Sequence, residues 1–233
     1  MDAYLGFAAA SGLFWTLTYI GIIRRGFKDQ RYGMPLAALS LNISWELIYS
    51  VIIPHQGPQR WINLVWFFFD AVILFQVFRY WKNEGFGLQA KAFYSFFLLL
   101  IATSFLAVLF IQMDMMNPEF FSQRNHPLGM GRAYSAFLMN LMMSVLFVVF
   151  CHQRGSLQGQ SLYIALFKFL GTIFADIPFL IAPFPNAAHP GTPAPGELFW
   201  PFVYVAIFVF DLIYVIQIYV MSRKQKINPW KRF

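Results

Sequence analysis

Apolar residues fill most of this chain in long runs, and polar residues gather in the short intervals between them. Seven runs come close to or exceed the length of about 20 residues that a helix needs to cross a hydrocarbon core. They cover 4–23, 34–53, 62–80, 92–112, 133–151, 162–183 and 199–221. Most are apolar all round, as expected of helices solvated by lipid rather than laid on a soluble core. The pattern predicts an all-α polytopic membrane protein, a single domain over 1–233 built as a bundle of seven transmembrane helices. The first run opens with Asp2 and lacks a preceding basic stretch, so it reads as a span and not as a signal peptide.

Composition and charge agree. Hydrophobic residues make up 59% and charged residues 12%, and the mean hydropathy is +0.56. Soluble domains carry about a quarter charged residues. The net charge of +7 sits at the ends of the apolar runs, which argues against a nucleic-acid footprint. With the N-terminus outside, thirteen of the 17 basic residues fall on the inner side, among them Arg24, Arg25, Lys28, Arg79, Arg154 and Arg223. Only Arg60, Arg124 and Arg132 fall outside, and Lys168 lies within a span. Positive-inside bias therefore predicts a cytoplasmic C-terminus, in a bacterial plasma membrane or an endoplasmic reticulum.

Two outer loops exceed a bare connection. Residues 113–132 contain Asn117-Pro118 and Pro127, and residues 184–198 contain Pro185, Pro190, Pro193 and Pro195. Proline fixes φ and removes a donor, so neither reads as continuous helix. Cys151 is alone, and His55, His126, His152 and His189 read as loop residues without helical metal-ligand spacing. Arg25-Gly26 before the second span and Arg154-Gly155 before the sixth form a faint internal echo.

The informative residues are ionisable groups inside the runs, each costing roughly 2.5 kcal/mol or more at the bilayer centre. There are five: Glu46, Asp70, Lys168, Asp176 and Asp211. At about 1.5 Å of rise per residue, Glu46, Asp70 and Asp211 lie roughly 15–18 Å from the inner end of their spans. That is mid-membrane depth, where the three acids could share one cavity. Lys168 is close enough to the inner end to snorkel outward, and it and Asp176 read as structural or interfacial. Asn42, Glu46 and Tyr49 share one helix face, as do Tyr204, Asp211 and Tyr214. Asp70 shows only Trp66 nearby. Desolvation disfavours a charged carboxylate, leaving an acid able to donate a proton inside the membrane. Glue between helices is the competing use of such groups.

Absent motifs narrow the chemistry. The chain has no D-D-x-x-D pair of acids, no glycine-rich phosphate loop, no G-x-S-x-G and no H-E-x-x-H. Aromatic residues reach 20%, and their ring faces suit a greasy cationic intermediate. A seven-helix proton-coupled transporter uses intramembrane acids too and stands as the alternative, with a non-catalytic scaffold as a third reading.

The stretch Phe27-Lys28-Asp29-Gln30-Arg31-Tyr32-Gly33-Met34, followed by Asn42-Ile43-Ser44-Trp45-Glu46-Leu47-Ile48-Tyr49, closely resembles the small integral-membrane terpene cyclases of meroterpenoid and indole-diterpene pathways, the pyripyropene and paxilline types. Ser161-Leu162-Tyr163, Lys168-Phe169-Leu170-Gly171 and Asp211-Leu212-Ile213-Tyr214 extend the likeness to the other end. The resemblance implies seven helices and a class II-type cyclisation without a diphosphate leaving group. It makes Glu46 and Asp211 the essential acids, and it implies a prenylated, often epoxidised substrate with no metal or organic cofactor. Lys168 stands where the family usually has arginine. The expected mechanism has Glu46 protonating a terminal epoxide or alkene, with Asp211 hydrogen-bonded to it or sharing the proton. Asn42, Trp45, Tyr49, Asp70, Tyr204 and Tyr214 are the expected substrate-binding residues.

Overall fold

The computed structural model describes residues 2–55, 57–85, 87–115, 127–181 and 198–233. The described residues form helices α1 (Asp2–Asp29), α2 (Leu36–Leu47), α3 (Pro58–Tyr80), α4 (Ala90–Met115), α5 (Pro127–Arg154), α6 (Leu162–Ile181) and α7 (Phe199–Lys224). Six of these are long and apolar enough to cross a membrane, and the shorter one runs over Leu36–Ile52. That shorter helix changes character halfway. After Leu47 it continues as a π-helix over Ile48–Ile52, closed by the Ile53 N–H donating to the Ile48 carbonyl at 2.7 Å. The wider turn begins two residues after Glu46, and such segments are frequent at functional sites.

Neighbouring helices close a ring in the order α1, α6, α7, α5, α4, α2, α3 and back to α1, with α2 also touching α5 across it. The α1–α6 seam is the most extensive and rests on small residues, which let helix backbones approach closely in lipid. A Cβ on Gly21 would come within 2.8 Å of Ile164, and one on Gly171 within 2.9 Å of Trp15. Ser11 adds a hydrogen bond to the Gly171 carbonyl at 2.8 Å. Outward-facing positions are apolar, with Leu99 66% and Phe202 62% exposed, while Asp70, Gln76, Gln112, Ser144 and Lys168 are fully buried. Polar groups inside and apolar groups outside are what a lipid solvent demands.

The basic end of the ring is tied together by Asp29. Its carboxylate accepts from Arg25, from Arg232 at 2.7 Å and from the Gly159 N–H at 2.8 Å. Arg154 donates to Glu84 and to the Tyr32 carbonyl at 3.0 Å. Gly33 lies so close to the Gly159 carbonyl that a Cβ would stand 2.6 Å from that oxygen. The residues around Asp29 and Tyr32 thus clamp the α1–α2 turn to the α5–α6 turn and to the C-terminal tail.

Several boundaries differ from the sequence pattern. Helix α5 begins at Pro127, so 127–132 is helical and not loop; proline is accepted in a first turn because that N–H has no intrahelical partner. His152 lies in the last turn of α5. Asn117-Pro118, His126, His189 and the four prolines of 184–198 lie outside the described residues. Gly26 and Gly155 play unlike parts in the echo: Gly26 packs under Gln76 inside α1, and Gly155 ends α5 at φ +61.

Candidate active site

Two groups of buried ionisable side chains occupy the interior of the ring. The first joins α1, α2 and α3. Asn42 donates from Nδ2 to the Tyr19 hydroxyl and, at 3.1 Å, to Oδ2 of Asp70. Tyr19 donates to the same Asp70 oxygen at 3.5 Å. Glu46 stands one turn along α2 from Asn42 and is 3% exposed, close enough for its charge and that of Asp70 to act on each other. Oε2 of Glu46 and Oδ1 of Asp70 are buried with no hydrogen-bond partner among the described residues.

Beside Glu46 in the chain, Trp45 and Tyr49 belong to a cluster of rings. Trp45 and Tyr49 pack with centroids 4.7 Å apart, and His55 lies 5.6 and 5.5 Å from them. Trp45 donates from Nε1 to Ser135 Oγ at 3.0 Å, and Tyr49 donates to Gln112 Oε1 at 2.8 Å. The Arg132 guanidinium sits over the Tyr49 ring at 5.7 Å. His55 lies in the connection between the π-turn and α3, and burial, aided by the Arg132 charge, pushes its pKa down to about 4. It is therefore neutral near pH 7.

The second group joins α5, α6 and α7. Lys168 donates to Oδ1 of Asp211 and, at 2.8 Å, to Ser144 Oγ. Its ammonium also faces the rings of Trp15 and Phe147, each at 5.7 Å. Asp176 lies two turns along α6 from Lys168, and its charge acts on both Lys168 and Asp211. Oδ2 of Asp211, Oδ1 of Asp176 and the Tyr204 hydroxyl have no partner among the described residues. Tyr214 shares the Asp211 face of α7 but donates to Gln160 Oε1 near the basic end. Trp15 and Tyr19, four residues apart on α1, connect the groups: one ring meets Lys168 and the other hydroxyl meets Asp70.

The structure therefore divides the acids that the sequence pattern left together. Glu46 stands with Asp70, and Asp211 stands with Lys168; the described hydrogen bonds include none between Glu46 and Asp211. Lys168 does not snorkel, since it is 0% exposed and held by a carboxylate and a hydroxyl. Asp70 has polar company after all, supplied by Tyr19 and Asn42, whereas Trp66 donates to Thr16 at 3.1 Å. Sequence reasoning missed Tyr19 and Ser144 outright, because a tyrosine or serine in an apolar run carries no signal until its neighbours are known. Two open surface recesses, about 470 Å³ beside Tyr219–Trp230 and about 760 Å³ beside Pro54–Trp61, are lined by none of these carboxylates.

A ring of apolar helices with buried carboxyls inside it, several of them with an oxygen unpartnered among the described residues, defines a class: multi-pass membrane proteins that hold ionisable groups in their interior. The family model of Pyr4-like transmembrane terpene cyclases matches residues 3–225, and the chain belongs to that family. It is 27% identical over 179 residues, 75% of its length and 69% of the relative's, to the Pyr4-family terpene cyclase mfmH of Annulohypoxylon moriforme. It is 25% identical over 229 residues, 92% of its length and 84% of the relative's, to asnovolin H synthase nvfL of Aspergillus novofumigatus. With the terpene cyclase pyr4 of Aspergillus fumigatus, identity is 33% over 76 residues, covering 32% of each chain. No solved structure matches. The family makes the chain a multi-pass membrane enzyme that cyclises terpenoid substrates.

Proposed function

We propose that this protein cyclises a prenylated, meroterpenoid-type substrate by protonating a terminal epoxide or alkene within the bilayer. The observation that carries the reading is Glu46, whose buried Oε2 has no partner among the described residues, on a helix that also carries the packed rings of Trp45 and Tyr49. A carboxyl in such surroundings keeps its proton and has no competing acceptor, which is what a general acid needs. The proton moves from Glu46 to the epoxide oxygen as the C–O bond breaks. Successive double bonds then attack the electron-poor carbon, forming C–C bonds and passing the cation along the chain. Loss of one C–H proton to a basic oxygen closes the last double bond, so product and substrate have equal mass.

Asp211 is the second acid in this reading. Its pairing with Lys168 supports a charged form whose field steadies positive charge developing nearby. Trp45, Tyr49 and Tyr204 offer ring faces to the folding prenyl chain, and Asn42, Asp70 and Tyr214 set the polar ends of the site. Leu36–Ile52 completes a seventh span, with the N-terminus outside and the basic, Asp29-clamped end in the cytoplasm.

The test is product analysis. A host fed a farnesylated phenol epoxide and expressing the wild type is expected to make a cyclised isomer of unchanged mass. Folded Glu46→Gln and Asp211→Asn variants are expected to make it at no more than about a hundredth of the wild-type rate. Full turnover by Glu46→Gln in membranes that hold folded protein overturns the mechanism.

A further inference from the structure

Glu46 and Asp70 are two buried carboxyls from two helices, each with one oxygen unpartnered among the described residues, and they differ in the donors that reach the other oxygen of Asp70. Asp70 is supplied with donors: Nδ2 of Asn42 at 3.1 Å and the hydroxyl of Tyr19 at 3.5 Å both point at its Oδ2. Glu46 Oε2 receives none among the described residues. Donors directed at a carboxylate favour its charged form, and a carboxyl without them in an apolar setting favours its neutral form. Two like charges side by side away from water are disfavoured, so such a pair divides into one acid and one anion. The donor count decides which is which.

We propose that Asp70 is the charged partner of Glu46, a positioning carboxylate that holds the proton on Glu46 until substrate arrives. The inference rests on the reading of Glu46 as the acid. When Glu46 gives its proton to the substrate, the substrate takes on positive charge between two anions. That arrangement steadies the cation, and the proton released at termination restores the original pair. The titratable groups around the site are few. Helix α1 contributes Tyr19 and α3 contributes Asp70. The α2–α3 connection contributes His55 against the Trp45 and Tyr49 rings, from α5 Arg132 faces Tyr49, one turn further along, and α4 contributes the uncharged Gln112 there. Lys168 and Asp211 lie in the other group, beyond the Trp15 ring.

The experiment is infrared titration of the full chain in lipid nanodiscs, with the protonated-carboxyl band of Glu46 isolated as wild type minus Glu46→Gln. Asp70→Asn preserves an oxygen for Asn42 and Tyr19, so glue is retained while the charge is lost. Removing a neighbouring anion weakens the hold of Glu46 on its proton, and the band is expected to titrate away at a pH lower by about one unit or more. Asp70→Glu, which restores the charge, is expected to bring the midpoint back towards wild type. Should Asp70→Asn not fold, Asp70→Ser removes the same charge and leaves a hydroxyl acceptor. An unchanged midpoint in a folded neutral variant overturns the proposal, as does absence of the Glu46 band from the wild type. The two readings fail separately: full turnover by Glu46→Gln sinks the cyclase mechanism, whereas an unmoved titration in a folded Asp70→Asn variant sinks only the role of Asp70.

Discussion

Lys168 donates to Oδ1 of Asp211 from the facing helix, and neither side chain reaches the surface: they are 0% and 1% exposed. The acid of the last helix is therefore one half of an ion pair and not a free carboxyl at mid-membrane depth. The bond also fixes α6 against α7, with Ser144 of α5 completing the shell around the ammonium.

Breaking that pair from one side leaves an uncompensated buried charge. Lys168→Met is expected to cost about 3–5 kcal/mol, and Lys168→Met with Asp211→Leu to recover most of it. Thermal unfolding in one detergent checks both. Cyclisation by the stable double variant would show that the pair is glue alone; restored folding without product is the expected result.

Glu46 should behave in the opposite way. Its Oε2 makes no hydrogen bond among the described residues, so Glu46→Gln keeps shape and volume while removing the transferable proton. A cyclisation rate lower by about 10²–10⁴-fold is expected, with an unfolding temperature close to wild type. Product formation per folded enzyme, counted after gel filtration, is the measurement.

Asp29 is expected to matter for folding rather than chemistry. Its carboxylate gathers Arg25, Arg232 and the Gly159 N–H at the basic end. Asp29→Asn weakens charge-assisted bonds worth roughly 1.5–3 kcal/mol each, less whatever solvent screens at this partly open site. Arg232→Ala is expected to lower the unfolding temperature in the same direction, and product per folded enzyme to stay near wild type in both.

His55 gives the fold a dependence on pH. Its pKa is pushed down from 6.5 to about 4 by burial, with Arg132 adding to the effect. The folded state thus favours the neutral ring. The stability this contributes is fully present above the unfolded value of about 6.5 and is lost as pH falls from there toward 4. His55→Gln is expected to flatten the slope of unfolding temperature between about pH 7 and pH 5. An equally steep slope in the variant would assign it to another group.

Some of the candidate site was legible in one dimension. Glu46 declares itself by standing in an apolar run with Asn42 and Tyr49 at helical spacing, because the cost of burying charge in lipid is a property of each residue. Lys168 was misread because its position permits snorkelling, and only the presence of Asp211 and Ser144 opposite explains why it stays inside. Tyr19 had no signal at all. The π-turn after Leu47 was invisible too, since it is a backbone choice that Ile48–Ile52 makes without a distinctive composition.

The sequence by itself determined the solvent and the helices, because hydropathy and its periodicity are local quantities. Only the tertiary structure decided which acid meets which partner. That depends on how each helix is rotated, and rotation is set by contacts between distant residues such as Gly21 on Ile164 and Gly171 on Trp15. Once those seams close, Asp70 is turned toward Tyr19 and Asn42, and Asp211 toward Lys168, and the acids are divided into two groups.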